Sequence, residues 1–343
     1  MSNYWQRRQV EDMFHYLQEA EDIADQIAQI YLKASRYLSY QADEIFEKFQ
    51  TKYGLSEIEA RQLINTLQDK TSLDEMLQKL KNVDKTESKK ELIKQLEAPA
   101  YQARLERLRQ LQNQLDQVMQ DIYHQEKTFS TNFYVDLANE AYYKSMFRLQ
   151  QRAEAAFSFA HISAKQIDQV ISGKWSGENY SSRIWKNTKA LAQTLKEELL
   201  VNLVTGRTNR EAAAIIANKF AQGASNARRL VRTESNFVST QLNFMAYEEA
   251  GIEEYQYLAT LDLKTSKVCR GLDGQIFLVS ERMVGTNCPP MHPWCRSTTV
   301  SVIKREWIAD MQRSAVDPKT GKAIMVPRSM DYAQWYKKYV EGR

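Results

Sequence analysis

Residues 285–296 read Gly-Thr-Asn-Cys-Pro-Pro-Met-His-Pro-Trp-Cys-Arg and concentrate residue types that are scarce elsewhere in the chain. Three of the six prolines, two of the three cysteines and one of the four histidines lie there, and the third cysteine, Cys269, lies a short way upstream. Proline fixes its own φ angle and keeps the preceding residue out of helical geometry. The stretch therefore predicts a rigid extended loop that leads into a β-strand.

Segments with β-strand character occur only in the C-terminal half. They are rich in β-branched and aromatic residues and are bounded by Gly, Asp and Pro: Tyr255–Thr260, Gln275–Val279 and Ser297–Val302. In contrast, Gly54 and Pro99 are the only glycine and proline in the first 170 residues, which lack the turn residues that β-rich folds need. The predicted fold is mostly α, with a long helical N-terminal region and a C-terminal α+β domain that contains a small antiparallel sheet.

Several N-terminal helices are indicated by apolar spacing and by capping residues. One helix face has apolar residues at intervals of three and four: Ile23, Ile27, Ile30, Ala34, Tyr37 and Leu38. The capping-box patterns Ser56–Glu59 and Ser72–Glu75 predict two further helix starts. The Lys-rich stretch 81–90 predicts a solvated loop or hinge.

A heptad-like seam occupies part of the region between residues 101 and 125. Its apolar residues step alternately by three and four: Leu108, Leu111, Leu115, Val118 and Ile122. About three heptads is near the minimum for a coiled coil. The seam therefore predicts packing either inside a helical bundle of this chain or against a second chain.

The second half begins with helices and ends with the predicted sheet. Ser163–Gln166 predicts one helix start, a further helix is expected across 181–204, and Thr208–Glu211 begins another. A separate helix is expected from about 225 to 250, ended by Gly251 as a left-handed cap. We predict a helical region over 1–160, an α+β domain over 161–305, and a tail over 306–343 with a short hairpin and a helix.

Composition excludes some classes of protein. No apolar run approaches the 18 residues of a membrane span, and the N-terminus lacks the features of a secretory signal, so we expect no membrane partner and synthesis in the cytosol. Net charge is −4 over residues 1–160 (21 basic, 25 acidic) and +8 over 161–343 (26 basic, 18 acidic). The basic half allows weak, salt-sensitive and sequence-independent contact with DNA.

The order of several motifs resembles the phage head morphogenesis family of minor head proteins, also called Mu F-like. The resemblance covers roughly residues 170–300 and rests on Trp175-Ser-Gly, Ser182-Arg-Ile-Trp, Arg232-Thr-Glu, Ala259–Ser266, Cys269, Leu272-Asp-Gly and Gly285–Arg296. The Asn-x-Pro-Pro-x-His-Pro-x-Cys-Arg pattern is the specific part of it. Val326–Trp335 in the tail also resembles the end of these proteins.

This resemblance implies a role in the assembly of a tailed phage or prophage. Members of the family enter the procapsid through the portal protein and act in head assembly and in DNA packaging, retention or ejection. The implied partners are the portal and the scaffold or major capsid protein, and the implied location is the virion, after assembly in the host cytoplasm. The residues expected to build the signature structure, without a catalytic role, are Arg232, Glu234, Asp262, Thr265, Gly274, Asn287, Pro290, His292, Cys295 and Arg296.

The cysteines and His292 permit three interpretations. The Cys₃His set of Cys269, Cys288, His292 and Cys295 suits a structural zinc site, in which Asp262 is the replacement for Cys288 if that thiol is incidental. Alternatively, the same residues stabilise a metal-free loop through hydrogen bonds and apolar thiol packing. Arg296 is expected to pair internally with a carboxylate, either Asp262 or Glu234.

The third interpretation is an enzyme that is carried in the head and delivered to the host with the DNA. Asp262 or His292 would act as a general base, and Cys295 as a nucleophile. The sequence lacks the His-x-Glu pattern of zinc deaminases, the His-Glu-x-x-His of zinc proteases, the Gly-x-Ser-x-Gly of serine hydrolases and the Gly-Lys-Ser/Thr of P-loops. The structural role is therefore our prediction, and the enzyme is the alternative.

Overall fold

A computed structural model describes residues 2–46, 56–58, 61, 90, 94, 99–154, 157–205, 207–303, 312–317, 320, 322–327, 330 and 332–341. The helix predicted from Ser72 lies outside these residues. So do most of the helix predicted from Ser56 and all but the last residue of the predicted loop at 81–90.

Helices dominate the described residues. The α-helices are α1 (Ser2–Phe46), α2 (Pro99–Ala153), α3 (Ala164–Ile171), α4 (Tyr180–Thr205), α5 (Asn209–Glu249), α6 (Lys267–Leu272) and α7 (Tyr332–Tyr339). The strands are β1 (Glu254–Leu258), β2 (Ile276–Leu278), β3 (Thr298–Val302), β4 (Gln312–Val316) and β5 (Ala323–Pro327). This confirms the mostly α fold with a C-terminal α+β part.

The chain forms two compact units, each assembled from segments that are distant in sequence. The first, here called the signature unit, contains residues 1–21, 131–180 and 231–343. The second, here called the leucine unit, contains residues 22–130 and 181–230. The domains predicted from the sequence, with boundaries at residues 160 and 305, are continuous segments and are not the same as these units. The predicted boundaries stay a prediction.

The leucine unit is built on the predicted heptad-like seam. Leu108, Leu111, Leu115 and Ile122 of α2 are buried, whereas Val118 is partly exposed. Apolar side chains of four helices surround one small space in its core: Leu38, Leu111, Leu115, Leu195, Leu199 and Ile216. The seam therefore packs against helices of this chain, which is the bundle alternative of the prediction.

Helix α5 is continuous, so the prediction of one helix from residue 208 and another from about 225 was wrong. Thr208 and Glu211 form the predicted capping box, and Gly251, with φ +68°, ends the helix as predicted. Gly223 lies inside the helix, where a Cβ atom would be 2.7 Å from the Tyr31 ring and 2.9 Å from Leu191. Glycine at this position therefore allows close packing and does not interrupt the helix.

The sheet of the signature unit has three strands in the order β2-β1-β3, and both pairings are antiparallel. Tyr255 of β1 faces Phe277 of β2 on one side and Ser301 of β3 on the other. All three predicted β segments are therefore strands. Strands β4 and β5 form a separate antiparallel pair in the tail, followed by α7.

Two further features complete the fold. The capping box predicted at Ser163 is formed at the start of α3, where the Ser163 side chain and Gln166 bond reciprocally. None of the helices in the described residues is long and apolar enough to cross a membrane.

Candidate functional site

The signature loop, residues 285–297, is held by residues 232–236 in the middle of helix α5. Arg232 forms an ion pair with Glu21, and its guanidinium lies 5.3 Å from the centre of the Trp294 ring. The Thr233 hydroxyl accepts a hydrogen bond from the Trp294 backbone amide at 3.1 Å. Glu234 accepts one from the Trp175 indole at 2.9 Å. The Arg232-Thr-Glu motif therefore connects the loop, α1 and the turn at Trp175.

Asn236, one turn further along α5, binds the C-terminal end of the same loop. Its side-chain amide donates to the carbonyl oxygens of Ser297 at 2.9 Å and Cys295 at 3.2 Å. Asn236 is fully buried, and its side chain provides hydrogen-bond donors for two backbone carbonyl groups that do not reach solvent. Asn236 was not predicted from the sequence, and Thr233 was part of the Arg232-Thr-Glu motif without an assigned role. The only signal for them was the clustering of small polar residues on a long helix, which sequence alone does not distinguish from a solvated face.

The loop that precedes α6 is organised around Asp262. Its carboxylate accepts from the backbone amides of Lys264 and Thr265 at 2.9 and 3.0 Å, and it forms a bidentate pair with Arg296 at 2.6 and 2.8 Å. The hydrogen bonds from Arg296 are the main reason why the pKa of Asp262 lies far below its usual value. Arg296 therefore pairs internally with Asp262, and Glu234 bonds Trp175 instead.

Other signature residues shape the chain around this loop. Thr265 donates its hydroxyl to the Thr260 carbonyl, and the Thr260 hydroxyl donates to the Arg296 carbonyl at 3.0 Å. Gly274, with φ +78°, lies in the turn before β2, in a conformation that favours glycine. Asn287 accepts from the Met283 amide at 2.7 Å and donates to the Glu281 carbonyl at 3.0 Å. Pro290 is buried and follows a cis peptide bond.

A β-turn brings His292 and Cys295 together. The Cys295 amide donates to the His292 carbonyl at 3.1 Å, Pro293 occupies the second position, and Trp294 in the third has φ +66°. This is the pattern of a type II turn, in which proline supplies the first φ angle and the next residue must be left-handed. The His-Pro-x-Cys spacing therefore places the first and last residues of a turn side by side.

Cys269 completes a cluster with these two residues. It lies in α6, where the Ser266 hydroxyl caps the helix by accepting from the Cys269 amide. Its Sγ is 3.4 Å from Nε2 of His292 and 4.0 Å from Sγ of Cys295. The hydrogen bond from Cys295 is the largest cause of a lowered pKa at Cys269, and the same contact raises the pKa of Cys295. Cys269, His292 and Cys295 form a metal-ligand-like group.

Two residues that were predicted to be possible ligands lie outside this group. Cys288 is buried, and its thiol donates to the Pro289 carbonyl at 3.4 Å, while burial raises the pKa of Cys288 to about 12. Asp262 is not a member of the group either. The structure thus brings together three of the four residues predicted as a Cys₃His set, because Cys288 belongs to the preceding part of the loop.

Of the residues predicted for the alternative catalytic site, His292 and Cys295 lie in the cluster and Asp262 does not. Nε2 of His292 contacts the Cys269 thiol at 3.4 Å, and Nδ1 lies 2.7 Å from the Pro293 carbonyl oxygen rather than facing a carboxylate. Asp262 is engaged by Arg296.

A family model matches the part of the chain that contains this site. Residues 193–300 match the family described as "Phage Mu protein F like protein". This match agrees with the Mu F-like resemblance and supports membership of the Mu F-like minor head family. It spans α5, β1, β2, the complete signature loop and the first part of β3.

Two curated proteins are similar to part of the chain. The NAD(+)--arginine ADP-ribosyltransferase EFV of Enterococcus faecalis (strain ATCC 700802 / V583) is 28% identical over 182 residues, which cover 48% of this chain and 37% of that protein. An uncharacterized protein of Haemophilus influenzae (strain ATCC 51907 / DSM 11121 / KW20 / Rd) is 25% identical over 146 residues, covering 36% and 33%. The chain thus spans about a third of the length of these relatives. No solved structure is significantly similar to it.

Proposed function

We propose that this chain, whose residues 193–300 belong to the Mu F-like family, is a minor head protein of a tailed phage or prophage. It enters the procapsid through the portal protein and acts in head assembly and in DNA packaging, retention or ejection. The family match carries the proposal. The geometry supports it, because the signature residues are engaged in holding a loop, as expected for a structural element.

The loop around Asp262 also presents apolar side chains to a partner. Leu261 and Leu263 flank Asp262, and their side chains are 86% and 96% exposed. Asp262, which lies between them, is fixed by hydrogen bonds from Arg296 and from two backbone amides, and this keeps the two leucine side chains exposed. Apolar side chains that are exposed as a group are a common feature of protein interaction sites. We assign Leu261 and Leu263 to the contact with the portal or major capsid protein.

Assembly with the portal tests the proposed role directly. Heads are produced from the capsid, scaffold and portal proteins of the same genome, together with this full-length chain, and bound protein is quantified by mass spectrometry. The chain should be present in low copy when the portal is included and lost when it is omitted. Equal amounts of the chain in heads with and without the portal would refute entry through the portal. Absence of the chain from all heads would refute the proposal that it is a head protein.

A Leu261→Ser/Leu263→Ser double variant tests the contact surface. It should fold normally, since both side chains are exposed, but be incorporated poorly. The matched control is Tyr40→Ser on α1, whose side chain is 61% exposed. Normal incorporation of the double variant would remove these leucines from the interface without affecting the proposed head location.

The name of the Enterococcus relative provides a specific alternative. That protein is described as an NAD(+)-arginine ADP-ribosyltransferase, although the similarity covers only 37% of its length. Purified chain is incubated with labelled NAD⁺ and arginine-rich acceptor proteins. The head-protein proposal expects no label transfer. Transfer that depends on a residue of this chain would favour an enzyme delivered with the DNA.

Nucleic acid is expected to contribute little to this role. Two arginines in the basic half are already paired within their own units, Arg228 with Asp25 and Arg232 with Glu21. We therefore propose only weak DNA contact, with an affinity that falls steeply as salt is raised. Binding that does not change between low and moderate salt would contradict this part of the proposal.

A further inference from the structure

We propose that Cys269, His292 and Cys295 bind a Zn²⁺ ion, with a water molecule in the fourth position. The three residues come from two separate segments, helix α6 and the turn 292–295. The inference is independent of the head-protein function, because it rests only on the geometry and chemistry of these side chains.

The distances between the donor atoms suit a tetrahedral zinc ion. Zinc–sulfur bonds of about 2.3 Å and zinc–nitrogen bonds of about 2.0–2.1 Å require donor pairs to lie about 3.6–3.8 Å apart. The observed separations are 3.4 Å between Cys269 Sγ and His292 Nε2 and 4.0 Å between the two sulfur atoms, and all three donor atoms lie within 4.8 Å of one another. Small movements of side chains alone would bring all three atoms to bonding distance from one ion.

The histidine is oriented as zinc-binding histidines are. Nδ1 of His292 is 2.7 Å from the Pro293 carbonyl oxygen, which can only accept, so Nδ1 carries the proton and donates it. Nε2 is then left with its lone pair directed to the Cys269 thiol. Metal-binding histidines characteristically donate their second ring N–H to a carbonyl or carboxylate, which fixes the tautomer.

The surroundings of the cluster provide a second, independent observation. Tyr257 is fully buried against Cys269 and Cys295, together with Ala259 and the side chains of Leu272, Phe277 and Met291. The Tyr257 hydroxyl interacts with the Cys269 thiol and with Ser297. The cluster is thus enclosed by apolar side chains and one hydroxyl, and such a shell controls the access of solvent to a metal site.

The donor set favours zinc over other common ions. Two thiolates and an imidazole are soft and borderline ligands, which suit zinc and disfavour Mg²⁺ and Ca²⁺. No further His, Cys, Asp or Glu side chain of the described residues joins the group. The ion would connect α6 to the turn 292–295, two segments that otherwise approach each other through side-chain packing. Its role would be to fix the signature loop.

Metal binding by the full-length protein tests the proposal. Protein purified under reducing conditions and freed of metal is titrated with Zn²⁺ in competition with a chromophoric chelator, and separately with Co²⁺. One ion per chain should bind. Co²⁺ should give the visible absorption of tetrahedral cobalt and a thiolate-to-cobalt charge-transfer band. Absence of stoichiometric binding by the wild-type chain would overturn the proposal.

Four single variants locate the ion. Three variants remove one proposed ligand each: Cys269→Ser, Cys295→Ser and His292→Gln. Each should lose stoichiometric metal binding. Each should also lose the thiolate-to-cobalt charge-transfer band or the absorption of tetrahedral cobalt. The matched control, Cys288→Ser, replaces a buried thiol that lies outside the cluster and should bind the ion like the wild type. Retention of metal by Cys295→Ser, or its loss in Cys288→Ser, would overturn the ligand assignment. If a buried cysteine variant fails to fold, His292→Gln decides, because that ring is partly exposed.

Discussion

The leucine unit and the signature unit are stabilised in different ways. In the leucine unit, apolar residues that recur at intervals of three and four on α2 pack against apolar residues of α1, α4 and α5. In the signature unit, single residues with particular hydrogen bonds hold particular loops, as Asn236 holds residues 295–297 and Arg296 holds Asp262.

This difference decides which changes each unit tolerates. A helical core depends on total apolar volume and accepts exchanges between residues of similar size. A loop held by individual polar contacts depends on the identity of each partner, because a lost partner leaves a buried group unsatisfied. We therefore expect substitutions in the leucine unit to change stability, and substitutions in the signature unit to change local order as well.

The largest expected effect is at the centre of the leucine unit. Leu115→Ala should lower the free energy of unfolding by about 2–5 kcal/mol, because a fully buried side chain is replaced by a cavity. Urea-induced unfolding followed by circular dichroism measures this loss. The control Leu32→Ala, at a side chain that is 41% exposed, should cost far less. Equal costs at the two positions would break the account of this core.

The next effect is in the signature unit. Asn236→Ala should lower the free energy of unfolding by about 2–3 kcal/mol, since the carbonyls of Cys295 and Ser297 lose their buried donor. Unlike Leu115→Ala, it should also speed hydrogen exchange in residues 294–299 under native conditions. If exchange there is unchanged, the loop does not depend on Asn236.

A buried acid makes the leucine unit sensitive to pH. Burial raises the pKa of Glu126 to about 7, from 4.5, although a hydrogen bond from Tyr31 opposes the shift. The folded protein thus keeps a proton that the unfolded chain releases near pH 4.5. Stability should fall as pH rises from about 4.5 to about 7 and then level off.

Glu126→Gln removes this titration. The variant should be more stable than the wild type by up to about 3 kcal/mol above pH 7, and similar to it near pH 4.5. Denaturant unfolding at both pH values gives the comparison. A wild-type protein that gains stability as pH rises across this range would contradict the assignment to Glu126.

The smallest global effect is expected at the Asp262 loop. Lys at position 296 cannot form the two parallel hydrogen bonds that Arg296 makes with Asp262. Arg296→Lys should therefore speed hydrogen exchange of the amides of residues 262–266 while the unfolding midpoint changes little. Lys264→Gln, a charge change in the same loop, is the control. Identical exchange in Arg296→Lys and wild type would mean that the pair does not order the loop.

Sequence predicted the parts of this fold that depend on periodicity or on rare residues. Spacing identified the α2 seam, and β-branched segments located all three strands. The signature cysteines and His292 were identified because their residue types are rare. Their spacing did not reveal that Cys288 is separate, because the turn at 292–295 and helix α6 bring the other three together only in three dimensions.

Other features could not be predicted, because they depend on contacts between distant segments. In α1, Tyr37 was expected on the buried face but is exposed, whereas Tyr31 is buried and bonds Glu126 of α2. Spacing alone did not determine the orientation of that face. The roles of Thr233 and Asn236 likewise depend on a loop about 60 residues away in sequence.

The most direct test concerns the composition of the signature unit. Residues from the N-terminal half contact the sheet and α5: Gln6 bonds Gln256, Arg152 bonds Ser301, and Met13 lies against Asn236 of α5. The sequence-based domain, residues 161–305, lacks all three of these side chains.

Hydrogen exchange of the β3 amides, residues 298–302, is measured in the full chain and in a fragment of residues 161–305. Strong protection in the full chain and little in the fragment is the predicted result, because the fragment lacks α1 and α2. Equal protection in the two would contradict the account and show that the Mu F-like region folds without the N-terminal half.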